Sequence, residues 1–146
     1  MANFPIKLLE ASYDNCTSCE FDRSDPIKLH LRWMNLKDNI NYGFRFEVRH
    51  SSGIAAGTSV VYSGLTGKMG ELSEAMFTYR LDNLIPGEYT TYYTFFAIND
   101  VGQSSIDMDC VPGLNFVIRP TENDIQWNMS AWGAVVLPTP VVEVMR

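Results

Sequence analysis

Positive charge is what this chain has little of: 11 Lys and Arg stand against 17 Asp and Glu, a formal net charge of −6. Nucleic-acid binding rests on cationic side chains neutralising phosphates, so the balance disfavours it, and an anionic membrane surface is disfavoured by the same sign. No apolar run approaches the roughly 20 residues that a membrane-spanning helix needs. The opening MANFPIKLLEASYDN has neither a basic start nor an apolar centre and does not read as an export signal. Three cysteines cannot all pair, which fits a reducing compartment. The chain reads as cytoplasmic, or as exposed without processing.

Motifs that carry chemistry are equally scarce. There is no G-x-x-x-x-G-K-[ST] phosphate loop, so this chain by itself has no means of hydrolysing ATP, and no G-x-S-x-G nucleophile elbow. His30 alternates with Lys28 and Arg32, and His50 precedes a Ser-Ser-Gly turn; both read as exposed strand residues rather than general bases. Cys16-x-x-Cys19 is the one spacing with metal or redox character. A zinc site would need Cys110 with His30 or His50 to complete four ligands, and no second C-x-x-C exists; free thiols or a local disulfide are the default reading. Asp100, Asp107 and Asp109 fit no EF-hand spacing and read as a solvated acidic loop. The sequons at Asn15 and Asn128 carry no weight without a secretion signal. No catalytic group, metal or cofactor is assigned, and the chain reads as a binding protein rather than an enzyme.

What is present is strand alternation. Residues 6–13 form an apolar first segment, and Ile27, Leu29, Leu31 and Trp33 alternate with Lys28, His30 and Arg32. Phe44, Phe46 and Val48 alternate with Arg45, Glu47 and Arg49, and residues 54–62 suggest a short edge strand. Residues 64–74 read as a loop with at most one helical turn. Residues 77–99 predict a hairpin, two Thr- and aromatic-rich runs about the turn Leu84-Ile85-Pro86-Gly87. An acidic connection over 99–113, a strand over 114–118, a polar connection over 119–128 and a last strand over 131–137, stopped by Pro138 and Pro140, complete the chain. The reading is all-β: an antiparallel β-sandwich of immunoglobulin-like or jelly-roll type with seven to nine strands, one domain over residues 1–146.

With Trp33, Phe46 and Tyr93 facing inward, the outward faces carry His30 and Arg32, then Arg45, Glu47 and Arg49, then Thr90, Tyr92 and Thr94. Polar groups interleaved with an aromatic suit a sugar, which stacks on a ring and exchanges hydrogen bonds through its hydroxyls. The competing reading is the wet face of a sheet. The candidate carbohydrate-binding residues are His30, Arg32, Arg45, Glu47 and Tyr92.

The order of these features resembles a family. Residues 4–15, IKLHLRW, FRFEVRHSSG, LIPGEY at 84–89, the acidic loop leading into 114–118 and WGAVVLP from Trp132 are similar in sequence to the C-terminal carbohydrate-binding domain of the ATP-binding subunit of Wzt-type O-antigen polysaccharide ABC transporters. The patterns cover most of the chain; the cysteine-bearing loop has no counterpart in them. The resemblance implies recognition of a polysaccharide terminus before export, an ATPase domain or subunit as partner, and a cytoplasmic position peripheral to the inner membrane. Transporter ATPases work in pairs, so it also implies a homodimer, to which an exchanged closing strand would contribute. A fibronectin type III-like structural or adhesive module, or a virion decoration module, is the alternative. Its usual L-x-P-G-x-x-Y turn sets the tyrosine one residue later than Tyr89, a shift that reverses the face in a strand and favours the transporter domain.

Overall fold

Alternation of large apolar and polar side chains gives each strand one dry face, and burying those faces against one another produces two layers. The computed structural model describes residues 6–14, 18–38, 41–65, 67–98, 104–121 and 126–145. Its strands are β1 (Ile6–Tyr13), β2 (Glu20–Phe21), β3 (Pro26–Asn35), β4 (Tyr42–His50), β5 (Ala55–Leu65), β6 (Leu72–Arg80), β7 (Gly87–Ile98), β8 (Ser104–Pro112) and β9 (Phe116–Ile118), followed by a one-turn helix, α1 (Met129–Trp132). One sheet runs β1-β3-β6. The other runs β2-β9-β7-β4-β5, with β8 also paired to β7. Every pairing is antiparallel except that of β2 with β9. The molecule is thus an antiparallel β-sandwich, as the alternation predicts.

The core is made where the dry faces meet. Ile27, Leu29, Leu31 and Trp33 of β3 are buried, as are Phe44, Phe46 and Val48 of β4 and Tyr89, Tyr93 and Phe95 of β7. Aromatic rings bridge the layers: Phe46 stacks on Tyr79 of β6 with centroids 4.3 Å apart, and Trp33 tilts against Phe95 at 5.4 Å. Such pairs contribute about 0.5–1.5 kcal/mol beyond their burial.

Residues 77–99 do not form the predicted hairpin. β6 pairs with β3, whereas β7 pairs with β4, β8 and β9, so the chain changes layer between them. Two strands with one dry face each satisfy the same alternation side by side or face to face, and the connection over 81–86 is long enough to span the ~10 Å between packed sheets. Leu84 and Ile85 are buried within this crossing, and the Tyr89 hydroxyl donates to the Ile85 carbonyl at 2.5 Å. That bond is the one a tyrosine corner makes, so the shorter turn does not abolish the corner as the spacing argument expects.

Other boundaries differ for local reasons. β5 is long, not short, and takes up the start of the predicted 64–74 loop, because its edge position tolerates the small residues Ala55 to Ser59. β8 runs through the predicted acidic connection: backbone pairing with β7, bulged twice, does not depend on an apolar pattern. Residues 131–137 are not a strand. Asn128 caps α1 by accepting from Ala131 N–H, and beyond it only Val135 bridges to Leu84. This closing segment docks on its own chain, Ile85 N–H donating to Ala134 and Val136 N–H to Asn83.

At the other end of the sandwich a buried polar chain joins the layers. Trp33 Nε1 donates to the Tyr42 hydroxyl at 2.6 Å, and Tyr42 donates to Asn35 Oδ1 at 2.9 Å. Asn35 Nδ2 donates in turn to the Glu71 carbonyl and to Ser73 Oγ. A Cβ at Gly67 would lie 2.3 Å from the Asn35 side chain, so glycine there lets the neighbouring crossing close over it. Tyr42→Phe strands the Trp33 donor and an Asn35 acceptor, and is expected to cost about 1–3 kcal/mol, roughly 3–10 °C in Tm. The exposed Tyr62→Phe should leave Tm unchanged, and equal melting of the two variants in a thermal scan would contradict the clasp.

The buried phenols give the fold a pH limit. Burial pushes Tyr89 from its ordinary 10 up to about 12, and pushes Tyr13, Tyr42, Tyr79 and Tyr93 up as well. A phenol that ionises more readily unfolded than folded contributes its full stability below about pH 10 and loses it as pH rises through the folded value. The denaturant midpoint should therefore fall steadily from pH 10 to 12. A midpoint flat to pH 12 would mean that these phenols are not buried.

Candidate functional site

β4 and β7 lie side by side, and their register sets which outward side chains meet. Glu47 stands opposite Tyr92, Arg45 opposite Thr94 and Arg49 opposite Thr90; on the other edge Thr58 of β5 faces Glu47, and Val60 faces Arg45. Arg45 is half-buried, its guanidinium carbon 5.9 Å from the centre of the Phe96 ring and its Nε 3.7 Å from Glu47 Oε1. Glu47 and Tyr92 are more open, Tyr92 at 37% exposure. Arg45, Glu47 and Tyr92 thus form a compact patch, with the exposed Arg49 beside it on the same face of β4.

The patch ends where β7 is covered. Thr94 and Phe96 point outward by alternation, yet they are 0% and 3% exposed, so Thr94 does not join the wet face that the sequence assigns it. Phe96 owes its position to Gly43: a Cβ there would come within 2.5 Å of the ring and 2.4 Å of the Val61 carbonyl oxygen.

His30 and Arg32 lie elsewhere. β3 belongs to the smaller sheet, so their outward direction is the opposite exterior of the sandwich. Both are engaged across strands, His30 Nε2 with Glu74 Oε1 at 2.6 Å and Arg32 with Glu10 at 3.1 Å. Alternation distinguishes inside from outside, but not one sheet from the other. Three of the five candidate residues therefore share a surface and two do not.

Of the zinc candidates, Cys16 and the Cys110 side chain lie outside the described residues; of the acidic loop, so do Asp100 and the side chains of Asp107 and Asp109. Cys19 is partly buried and adopts a positive φ of 59°. His30 and His50 belong to different sheets; His50 Nδ1 accepts from Ser52 N–H, and its ring meets Tyr89 edge-on. Among the described residues no three His, Cys, Asp or Glu gather as a metal site would require.

A feature that the alternation argument overlooks lies around α1. Gln126, Trp127, Asn128, Met129, Ser130 and Trp132 line an open depression of about 720 Å³. Trp127 Nε1 donates to the Gly133 carbonyl at 2.6 Å, and the two indoles meet edge to face at 5.1 Å and 81°. Trp132 remains 56% exposed. The available signal was two tryptophans five residues apart in a polar stretch, which strand periodicity alone reads as a connection and the start of a strand.

No family model matches the chain, and no curated protein does. Solved structures share its fold. The crystallised C-terminal domain of Wzt superposes with a TM-score of 0.68 over 99% of this chain and 87% of that one, at 10% identity. The alkylpurine DNA glycosylase AlkC of Pseudomonas fluorescens, bound to DNA containing an abasic-site analogue, matches at a TM-score of 0.53 over 80% of this chain but 31% of its own, also at 10% identity. At such identities the likeness is one of fold.

Gly43→Ala tests the packing beneath the patch. It should destabilise by about 1–3 kcal/mol, because a backbone oxygen stands in the way of the methyl group. A denaturant midpoint equal to the parent's would show that Phe96 does not lie over β4.

Proposed function

We propose that the chain is a non-catalytic carbohydrate-binding module that recognises a polysaccharide of O-antigen type at its terminus, for export by an ABC transporter. The observation that carries this reading is the match to the C-terminal domain of Wzt along almost the whole chain, in agreement with the motif resemblance. In this reading residues 1–146 act as one domain, its partner is an ATPase domain or subunit of the transporter, and it works at the cytoplasmic side of the inner membrane. No helix among the described residues is long and apolar enough to cross a membrane.

The patch of Arg45, Glu47 and Tyr92 has the chemistry the role needs. The phenol offers a face for a pyranose ring, the guanidinium donates, and the carboxylate accepts from sugar hydroxyls. His30 and Arg32, already engaged with carboxylates on the opposite exterior, are the weaker candidates. A second reading, a fibronectin type III-like structural or adhesive module, is favoured by the tyrosine corner between Tyr89 and Ile85.

A bacterial glycan array probed with the purified chain separates the two. Selective binding to one polysaccharide, weakened about tenfold or more (1.4 kcal/mol) in folded Tyr92→Ala and Arg45→Ala, is the expected result. Binding retained by both variants would remove the patch from the account. Silence of the intact chain beside responding lectins would favour the adhesive reading.

A further inference from the structure

We propose that the depression around Trp127 and Trp132 is a second saccharide-binding subsite, one that takes the apolar face of an uncharged pyranose against the Trp132 indole; this rests on the carbohydrate-binding reading above. Indoles are normally buried for their large apolar surface, yet here one is left 56% open to water. Trp127, held through its Nε1 bond to Gly133, meets Trp132 edge to face, and Asn128 closes the turn that carries the second indole by accepting from Ala131 N–H and Ser130 Oγ. An aromatic surface ordered before the ligand arrives loses little entropy on binding.

The surroundings distinguish a sugar from a protein partner. The described lining residues beside the indoles are Gln126, Asn128, Met129 and Ser130: amide and hydroxyl groups with one thioether, and no charge. Amides and a hydroxyl match the mixed donors and acceptors of sugar hydroxyls, whereas the cores of protein interfaces are dominated by close-packed apolar groups. The volume of about 720 Å³ falls in the ~300–1,000 Å³ range of small-molecule sites. A repeating polymer presents many equivalent rings, so a second contact on the same chain raises its apparent affinity without new chemistry.

The test is a tryptophan-fluorescence and calorimetric titration of the intact chain with purified mannan, galactan and glucan and with their short oligosaccharides. Parent, Trp132→Ala, Trp132→Phe and Tyr92→Ala are compared after circular dichroism has established that each is folded. We expect at least one polysaccharide to alter indole emission, with binding weakened about tenfold in Trp132→Ala and largely restored in Trp132→Phe, because the aromatic face is what is used. Unchanged affinity in Trp132→Ala, with the parent still binding, overturns the subsite and leaves the carbohydrate reading standing. A parent that binds no saccharide overturns both. A fall in sedimenting mass on Trp132→Ala, without any change in saccharide affinity, reassigns the indole to contact between copies of the chain.

Discussion

The sandwich depends on how its chain changes layers, and the Asn35 clasp is the interaction that fixes this at one end. Asn35 closes β3, receives the Tyr42 hydroxyl from the opposite sheet and donates to Glu71 and Ser73 at the start of β6, so a single side chain ties together both crossings there. Trp33 completes the arrangement by donating to Tyr42, so that the Trp33, Tyr42 and Asn35 side chains all have hydrogen-bond partners. At the opposite end the crossing between β6 and β7 is held by backbone bonds from the closing segment to Asn83 and Ile85, and by Arg23 donating to the Leu84 carbonyl. The apolar faces supply the drive to associate; these polar ties select one way of stacking them.

The two exteriors that result differ in kind. On the smaller sheet Glu10, Arg32 and Glu74 stand in one cross-strand row, with Arg32 paired to Glu10 and His30 leaning on Glu74, so each of these side chains already has a polar neighbour. Exposed pairs of this sort contribute at most about 1 kcal/mol and do not require a ligand to explain them. On the larger sheet the Arg45 guanidinium lies 5.9 Å from the ring of Phe96, which stays buried on the outer face of β7 because Gly43 leaves room for it. An aromatic-backed cation beside an open phenol is a more specific arrangement than a row of surface ion pairs.

Much of the layer structure was legible from period-two patterning. Trp33, Phe46 and Tyr93 lie in the core, and their alternate neighbours point outward, because in a strand that choice is binary. What the pattern does not encode is sheet membership: 77–81 and 89–97 look alike whether paired or stacked, so His30 and Arg32 fell in with Arg45, Glu47 and Tyr92. β8 was hidden by its acidic residues, since an edgewise backbone ladder makes no demand on side-chain polarity. The indole pair at Trp127 and Trp132 was hidden for the opposite reason, as its order comes from one capped turn and one indole-to-carbonyl bond rather than from any repeat.

The central claim is that the exterior of the larger sheet, not that of the smaller one, meets the saccharide. It is tested most directly by amide chemical-shift mapping of the isotope-labelled chain titrated with the array-selected polysaccharide fragment. The account predicts shifts at Arg45, Glu47 and Tyr92 and their β5 neighbours Thr58 and Val60, with His30, Arg32 and Glu74 unmoved. Shifts centred on β1, β3 and β6 would contradict it.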